Sequence, residues 1–122
     1  MPSSDTSLPE LNRPLSEVKA ELFKALAHPA RVRALEVLAD GERTVSELQP
    51  LVGIESSHLS QQLGVLRRAG LVSTRREGSS VIYALRDPLV ADLLALAKRF
   101  LLASLAHTRD LLADLTAEVT AG

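Results

Sequence analysis

The chain has no cysteine among its 122 residues. Disulfides and thiolate metal sites are therefore excluded, and a sulfur-based redox switch is not expected. Aromatic residues are almost missing too, with one Tyr, two Phe and no Trp. Leu, Val and Ala must fill any core, which favours packed helices and argues against an aromatic stacking platform for single-stranded nucleic acid. No run approaches 18 uncharged apolar residues, so no membrane span is expected. The opening MPSSDTSLPELNRP lacks a basic region followed by an apolar one. It does not read as a signal peptide, and a cytoplasmic protein is the expectation. An excess of positive charge is lacking as well, since the net charge is -1.

The distribution of that charge is uneven. Residues 54–86 carry five arginines (67, 68, 75, 76 and 86) against Glu55 and Glu77, a local excess of +3, while both flanks are acidic. One basic patch on an otherwise acidic chain is a better sign of DNA binding than overall charge. The length fits one domain with a real core.

The patch coincides with the most informative stretch, GIESSHLSQQLGVLRRAGLV from Gly53 to Val72. Leu59, Leu63 and Leu66 recur at helical spacing and form an apolar back. Ser57, Ser60, Gln61, Gly64 and Arg68 form the front, which is small, polar and cationic. Such a helix suits a DNA major groove. It is expected from about Ser56 to Ala69, with Gly70 at its end.

The surrounding chain reads as support for that helix. Residues 1–14, with Pro2, Pro9 and Pro14, read as a flexible tail. A first helix is expected from Ser16, as N-cap, to Ala27, with Val18, Leu22, Ala25 and Leu26 inward. Pro29 suits the first turn of a second helix running to Ala39, with Val32, Leu35 and Leu38 inward, Arg31 and Arg33 outward and Gly41 ending it. Thr44-Val-Ser-Glu47 has the capping-box pattern and opens a third helix to Val52. Pro50 should distort or shorten that helix, because its ring removes a backbone bond. Short helix, Gly-containing turn and polar-fronted helix together make a helix-turn-helix.

Two strands follow, Leu71–Arg76 and Val81–Leu85, around the turn Glu77-Gly78-Ser79-Ser80. They would form a wing beside the helix-turn-helix. From Asp87-Pro88 onward Leu89, Leu93, Leu94, Ala97, Phe100, Leu101 and Leu105 keep helical spacing, and Leu111, Leu112, Leu115 and Val119 extend it. The run reads as one helix to about Glu118 or as two helices broken near Ser104–Thr108. A single small domain cannot cover so much leucine, so a second chain is expected to.

The order of these elements and their wording resemble the ArsR family of winged-helix repressors over about Leu22 to Leu94. FKALAHPARVRALEVLADGERTVSEL is similar to that family's opening helices, ESSHLSQQLGVLRRAGLV to its recognition helix and RREGSSVIYAL to its wing. The resemblance implies a mainly α fold with a small β-hairpin, a winged helix-turn-helix, working as a homodimer. It implies residues 15–103 as the DNA-binding domain and 88–119 as a dimerisation helix continuous with it. It further implies a sequence-specific repressor on a palindromic double-stranded operator. Ser56, Ser57, His58, Ser60 and Gln61 match the family's base- and phosphate-contacting positions, and Arg75, Arg76, Gly78 and Ser79 its wing. Arg67 and Arg68 join this set as phosphate contacts through their place in the basic patch. The dimer would be built on the first and last helices, through Leu22, Leu26, Leu93, Ala97, Phe100, Leu101 and Leu105.

The departures concern the signal. Where some members place cysteines in the third helix, Glu47-Leu-Gln-Pro-Leu51 has no thiol. Where others use histidine in the last helix, Asp87 is present but Leu89 stands in place of the first His. Neither metal site is expected, no cofactor is expected, and no effector is named by these residues.

Other readings are weaker. Ser57 and His58 are adjacent on a helix and point about 100° apart, so they do not form a nucleophile–base pair. No enzyme is expected. His107 and Asp110, three residues apart, could supply two ligands of a shared metal site but read first as a solvated helix face. His28 reads as a capping or packing residue, and His58 as either a phosphate contact or a packing residue under the recognition helix. The arginine cluster could serve solubility alone. The alternative to a DNA-binding repressor is a protein-interaction module that docks through its Leu-rich C-terminal helix.

Overall fold

The computed structural model describes residues 12–121, so the tail expected over residues 1–14 falls largely outside the described residues. Asn12 to Pro14 do not behave as a tail. Arg13 Nη1 donates to Glu21 Oε1 at 3.0 Å, and Arg13 Nε lies 3.7 Å from Glu17 Oε1. The hydrogen bond from Arg13 holds the Glu21 carboxyl below its ordinary value. These ion pairs anchor the entry of α1 (Leu15–Leu26). The helix therefore begins ahead of the expected Ser16 cap. Pro14 takes the N-cap position without a side-chain bond, its φ of -55° and ψ of 137° already extended, and Glu17 N–H donates to Pro14 O at 3.0 Å.

Pro29 forces His28 to be extended, which separates α1 from α2 (Pro29–Ala39). His28 caps α2: its Nδ1 accepts from Ala30 N–H at 3.0 Å. The buried face of α2 is Ala30, Ala34, Leu35 and Leu38, while Val32 is only half-buried. Arg31, expected outside, is half-buried, and its Nε is enclosed with no partner among the described residues.

A two-residue strand, β1 (Arg43–Thr44), comes next, and nothing in the sequence announced it. Thr44 also caps α3 (Val45–Val52) in the expected box. Glu47 N–H donates to Thr44 Oγ1 at 3.2 Å, and Thr44 N–H donates to Glu47 Oε1 at 2.8 Å. Pro50 lies inside this helix, which ends after eight residues at Gly53. Gly53 has a φ of 81°, a left-handed conformation that side chains disfavour, and its N–H closes the helix on Gln49 O at 2.9 Å.

Helix α4 (Ser56–Arg68) follows a short turn. Its C-terminus closes in two paired bonds, Gly70 N–H to Arg67 O at 3.1 Å and Leu71 N–H to Leu66 O at 3.0 Å. The wing is β2 (Val72–Glu77) and β3 (Ser80–Leu85), joined by the two-residue loop Gly78-Ser79. Gly78 has a φ of 61° and Ser79 a negative one, the signs of a type II′ turn matched to strand twist. The sheet is antiparallel in the order β1-β3-β2, with Thr44 opposite Ile82 and Ile82 opposite Arg75.

Asp87 caps α5 (Pro88–Ala121), its Oδ1 accepting from Leu89 N–H at 2.8 Å. The helix is unbroken through Ser104–Thr108. In that stretch Thr108 Oγ1 donates to Ser104 O at 3.0 Å, so its hydroxyl is satisfied within the helix. One core gathers α2, α3, α4, the base of the wing and the start of α5. Leu35, Leu48, Leu59, Leu63 and Leu66 are each 0% exposed.

Candidate nucleic-acid interface

Helix α4 is positioned by what it buries. Leu59, Leu63 and Leu66 lock its back into the core, and α2 and α3 pack against it. The opposite face is left to solvent: Ser56, Ser57, His58, Ser60, Gln61, Arg67 and Arg68 are all exposed. The structure therefore places every expected residue of this helix on the surface, on a rigid element. None of them is bulky and apolar.

Local contacts refine their chemistry. The Ser57 hydroxyl donates to Glu55 Oε1 at 2.9 Å, leaving its lone pairs outward. The His58 ring meets the His28 ring edge-to-face, with centroids 6.0 Å apart, so it rests against the start of α2 while remaining exposed. Ser57 and His58 thus have separate partners, Glu55 and His28. Gly64 is half-buried rather than outward. A Cβ there would come within 3.2 Å of Arg68 Nη1, the far end of a flexible side chain one turn later.

Sequence reading missed two residues here. Gln62 is 8% exposed, and its Oε1 has no partner among the described residues. Its place next to Gln61 gave no hint, because helical periodicity alone separates the two. Glu42, in the loop after α2, forms an ion pair with the wing residue Arg75. Their separation of 33 residues hid that contact from any local pattern.

Arg76, Gly78 and Ser79 are exposed on the wing, and Arg76 has no ion pair among the described residues. Arg75 differs: besides Glu42 it contacts Glu77, at 3.1 Å. Its charge is matched by carboxylates, although the side chain itself is exposed.

The residues expected at a dimer interface fall into two groups. Leu22 and Leu26 are half-buried against the chain's own core, and Leu93 is half-buried beside them. Ala97, Phe100, Leu101 and Leu105 are exposed, with Phe100 at 69%. Phe23, 56% exposed, joins Leu26, Leu93, Ala97 and Leu101 along an apolar groove of about 560 Å³. Among the described residues no group of three or more His, Asp or Glu side chains is arranged to hold a metal ion.

Residues 28–74, from the His28 cap to the middle of β2, match the model of the bacterial regulatory protein ArsR family. An HTH-type transcriptional regulator of Mycobacterium tuberculosis, Rv0081, is 52% identical over 107 residues, covering 87% of this chain and 94% of that protein. The chain belongs to the ArsR family. Its members' fold extends to the three-dimensional level. The crystal structure of Rv0081 aligns with a TM-score of 0.73 at 54% identity, over 78% of this chain and 96% of that one. The solution structure of a homodimeric winged helix-turn-helix DNA-binding domain from Mycobacterium bovis aligns with a TM-score of 0.70 at 35% identity, over 76% of this chain and 86% of that one. A biofilm growth-associated repressor of Agrobacterium fabrum is 47% identical over 71% of this chain and 74% of its own length. This ArsR-family chain is thus a winged helix-turn-helix transcriptional regulator. No helix among its described residues is long and apolar enough to cross a membrane.

Proposed function

We propose that the protein is a cytoplasmic repressor that binds a palindromic double-stranded DNA operator as a homodimer. The observation that carries this reading is α4 itself, whose back is wholly buried and whose exposed front is Ser, Gln and Arg. Ser56, Ser57, Ser60 and Gln61 would meet base edges and nearby phosphates, with His58 at the margin. Arg67, Arg68 and Arg76 would bind phosphates, with Gly78 and Ser79 at the wing tip. Residues 15–103 would form the DNA-binding unit and 88–119 the dimerisation helix, through Leu22, Leu26, Leu93, Ala97, Phe100, Leu101 and Leu105. Two such helices would enter successive major grooves roughly 34 Å apart.

Anisotropy titration of a duplex from the protein's own promoter region tests this. Three arginines per protomer give six phosphate contacts per dimer and a log–log salt slope of about -5. Ser57→Ala with Gln61→Ala should weaken operator binding while sparing affinity for unrelated duplex. Absent binding, or binding indifferent to salt, sinks the reading. The exposed leucines of distal α5 favour a second reading, a module that docks to other proteins. Unchanged function after the Ser57 and Gln61 substitutions would support it.

A further inference from the structure

The wing carries two adjacent arginines, and alternation along a strand sends their side chains to opposite faces. Arg76 has no ion pair among the described residues, whereas Arg75 is held by two. Its register explains how. Arg75 lies opposite Ile82, which lies opposite Thr44, so the guanidinium reaches over the central strand to the loop that precedes β1. Glu42 waits there. The loop is drawn tight by Arg43, whose Nη1 donates to Glu42 O at 2.8 Å. Gly41 stands just before Glu42 with a φ of 150°, a conformation that side chains rarely adopt, and a Cβ there would lie 3.0 Å from Arg43 Nη1, the end of a flexible side chain. Arg75 Nη1 then pairs with Glu42 Oε2, and Nη2 with Glu77 Oε2 at 3.1 Å.

One guanidinium between two carboxylates leaves no positive excess: with Arg43, whose guanidinium sits on the Glu42 carbonyl, two cations face two carboxylates. A phosphate approaching this part of the wing would meet no net positive charge, although the sequence shows an arginine. The Arg75, Glu42 and Glu77 side chains are about half-exposed or more, at 47%, 50% and 65%. Ion pairs so exposed add little to stability. The consequence of this one lies in the charge the protein shows to DNA. We propose that Glu42 is an electrostatic brake on DNA binding: it withholds Arg75 from the phosphate backbone, so that of the wing's two arginines Arg76 alone binds phosphate. The proposal rests on the DNA-binding reading above and names a residue that tunes it.

The test compares wild type, Glu42→Gln, Arg75→Ala and the double variant in anisotropy titrations over a range of potassium chloride, with operator and with scrambled duplex. Glu42→Gln should bind both duplexes roughly tenfold tighter at low salt, with a slope steeper by about 2, one added phosphate contact per protomer. The gain must vanish in the double variant, which should match Arg75→Ala. An unchanged or shallower slope in Glu42→Gln overturns the proposal, as does a gain that survives without Arg75. Circular-dichroism melts check that each variant folds. If wild type binds no duplex at any salt, the DNA-binding reading falls and the brake falls with it. If wild type binds and Glu42→Gln shows no gain, only the brake falls.

Discussion

The two ends of α5 are written in the same alphabet and meet opposite fates. At its start Val90 is 8% exposed and Leu94 packs on the core. Beyond Leu101 the leucines continue at helical spacing, yet Leu105, Leu112 and Leu115 are 67%, 59% and 56% exposed. Thirty-four residues at 1.5 Å each make a rod of about 51 Å, longer than a small body can line. Periodicity states which face of a helix is apolar. Whether that face is covered depends on how far the rest of the chain reaches. The exposed half, polar along His107, Asp110, Asp114 and Glu118, has the form of a helix awaiting another helix.

The largest expected effect sharpens this contrast. Leu63 is 0% exposed at the centre of the core. Leu63→Ala should cost about 3 kcal/mol and lower Tm by more than ~10 °C. Leu112→Ala, measured in the same dilute solution, should leave the melt nearly unchanged. If the two substitutions cost the same, the distal helix is already covered at working concentration and the contrast breaks. Repeating the melts at higher protein concentration separates the cases, because association makes Tm depend on concentration.

Much of this body was legible in the residues, and the reasons differ by element. The back of α4 was readable because Leu59, Leu63 and Leu66 repeat at one spacing. The cap of α3 was readable because Thr44 and Glu47 form a local motif. Strand β1 was not, since two residues carry no period and Thr44 already had a role as a cap. Ala30 and Ala34 gave little warning of their burial, being too small to mark a face. The start of α1 was misplaced because Ser16 is a good cap in general, while here Arg13 ties the chain to Glu17 and Glu21 first. In the candidate site the outward places of Ser57, Ser60, Gln61 and Arg68 were readable from helical geometry, whereas Gly64, read as part of the same front, is half-buried. The state of Arg75 was not, because it depends on a carboxylate brought near only by the sheet.

A second prediction tests what covers the distal helix. Leu112→Glu with Leu115→Glu should weaken self-association at least tenfold in sedimentation analysis while leaving the helical signal of the body intact, since these side chains are exposed in the single chain. An unaltered association constant would confine any dimer to α1 and proximal α5. A third prediction returns to the body. Thr44→Ala removes the side-chain acceptor of Glu47 N–H and should cost about 1 kcal/mol in thermal unfolding. No effect would mean that pairing of β1 with β3 positions α3 without its cap.

The smallest effect concerns pH and the wing. The hydrogen bond from Arg75 holds the Glu42 carboxyl below its ordinary value. A carboxylate whose folded value is depressed contributes stability above the unfolded value, about 4.3, and loses it as pH falls through the folded one. Wild type should therefore melt slightly above Glu42→Gln at pH 7, and the two should converge only once pH has fallen below the depressed folded value. The Arg13–Glu21 pair behaves in the same sense, since Glu21 is depressed as well, so Glu21→Gln should show the same convergence. A gap that persisted at low pH would mean that Glu42 holds the wing by shape rather than by charge. That outcome would move the wing from the electrostatic side of the molecule to the packed side, beside the buried half of α5.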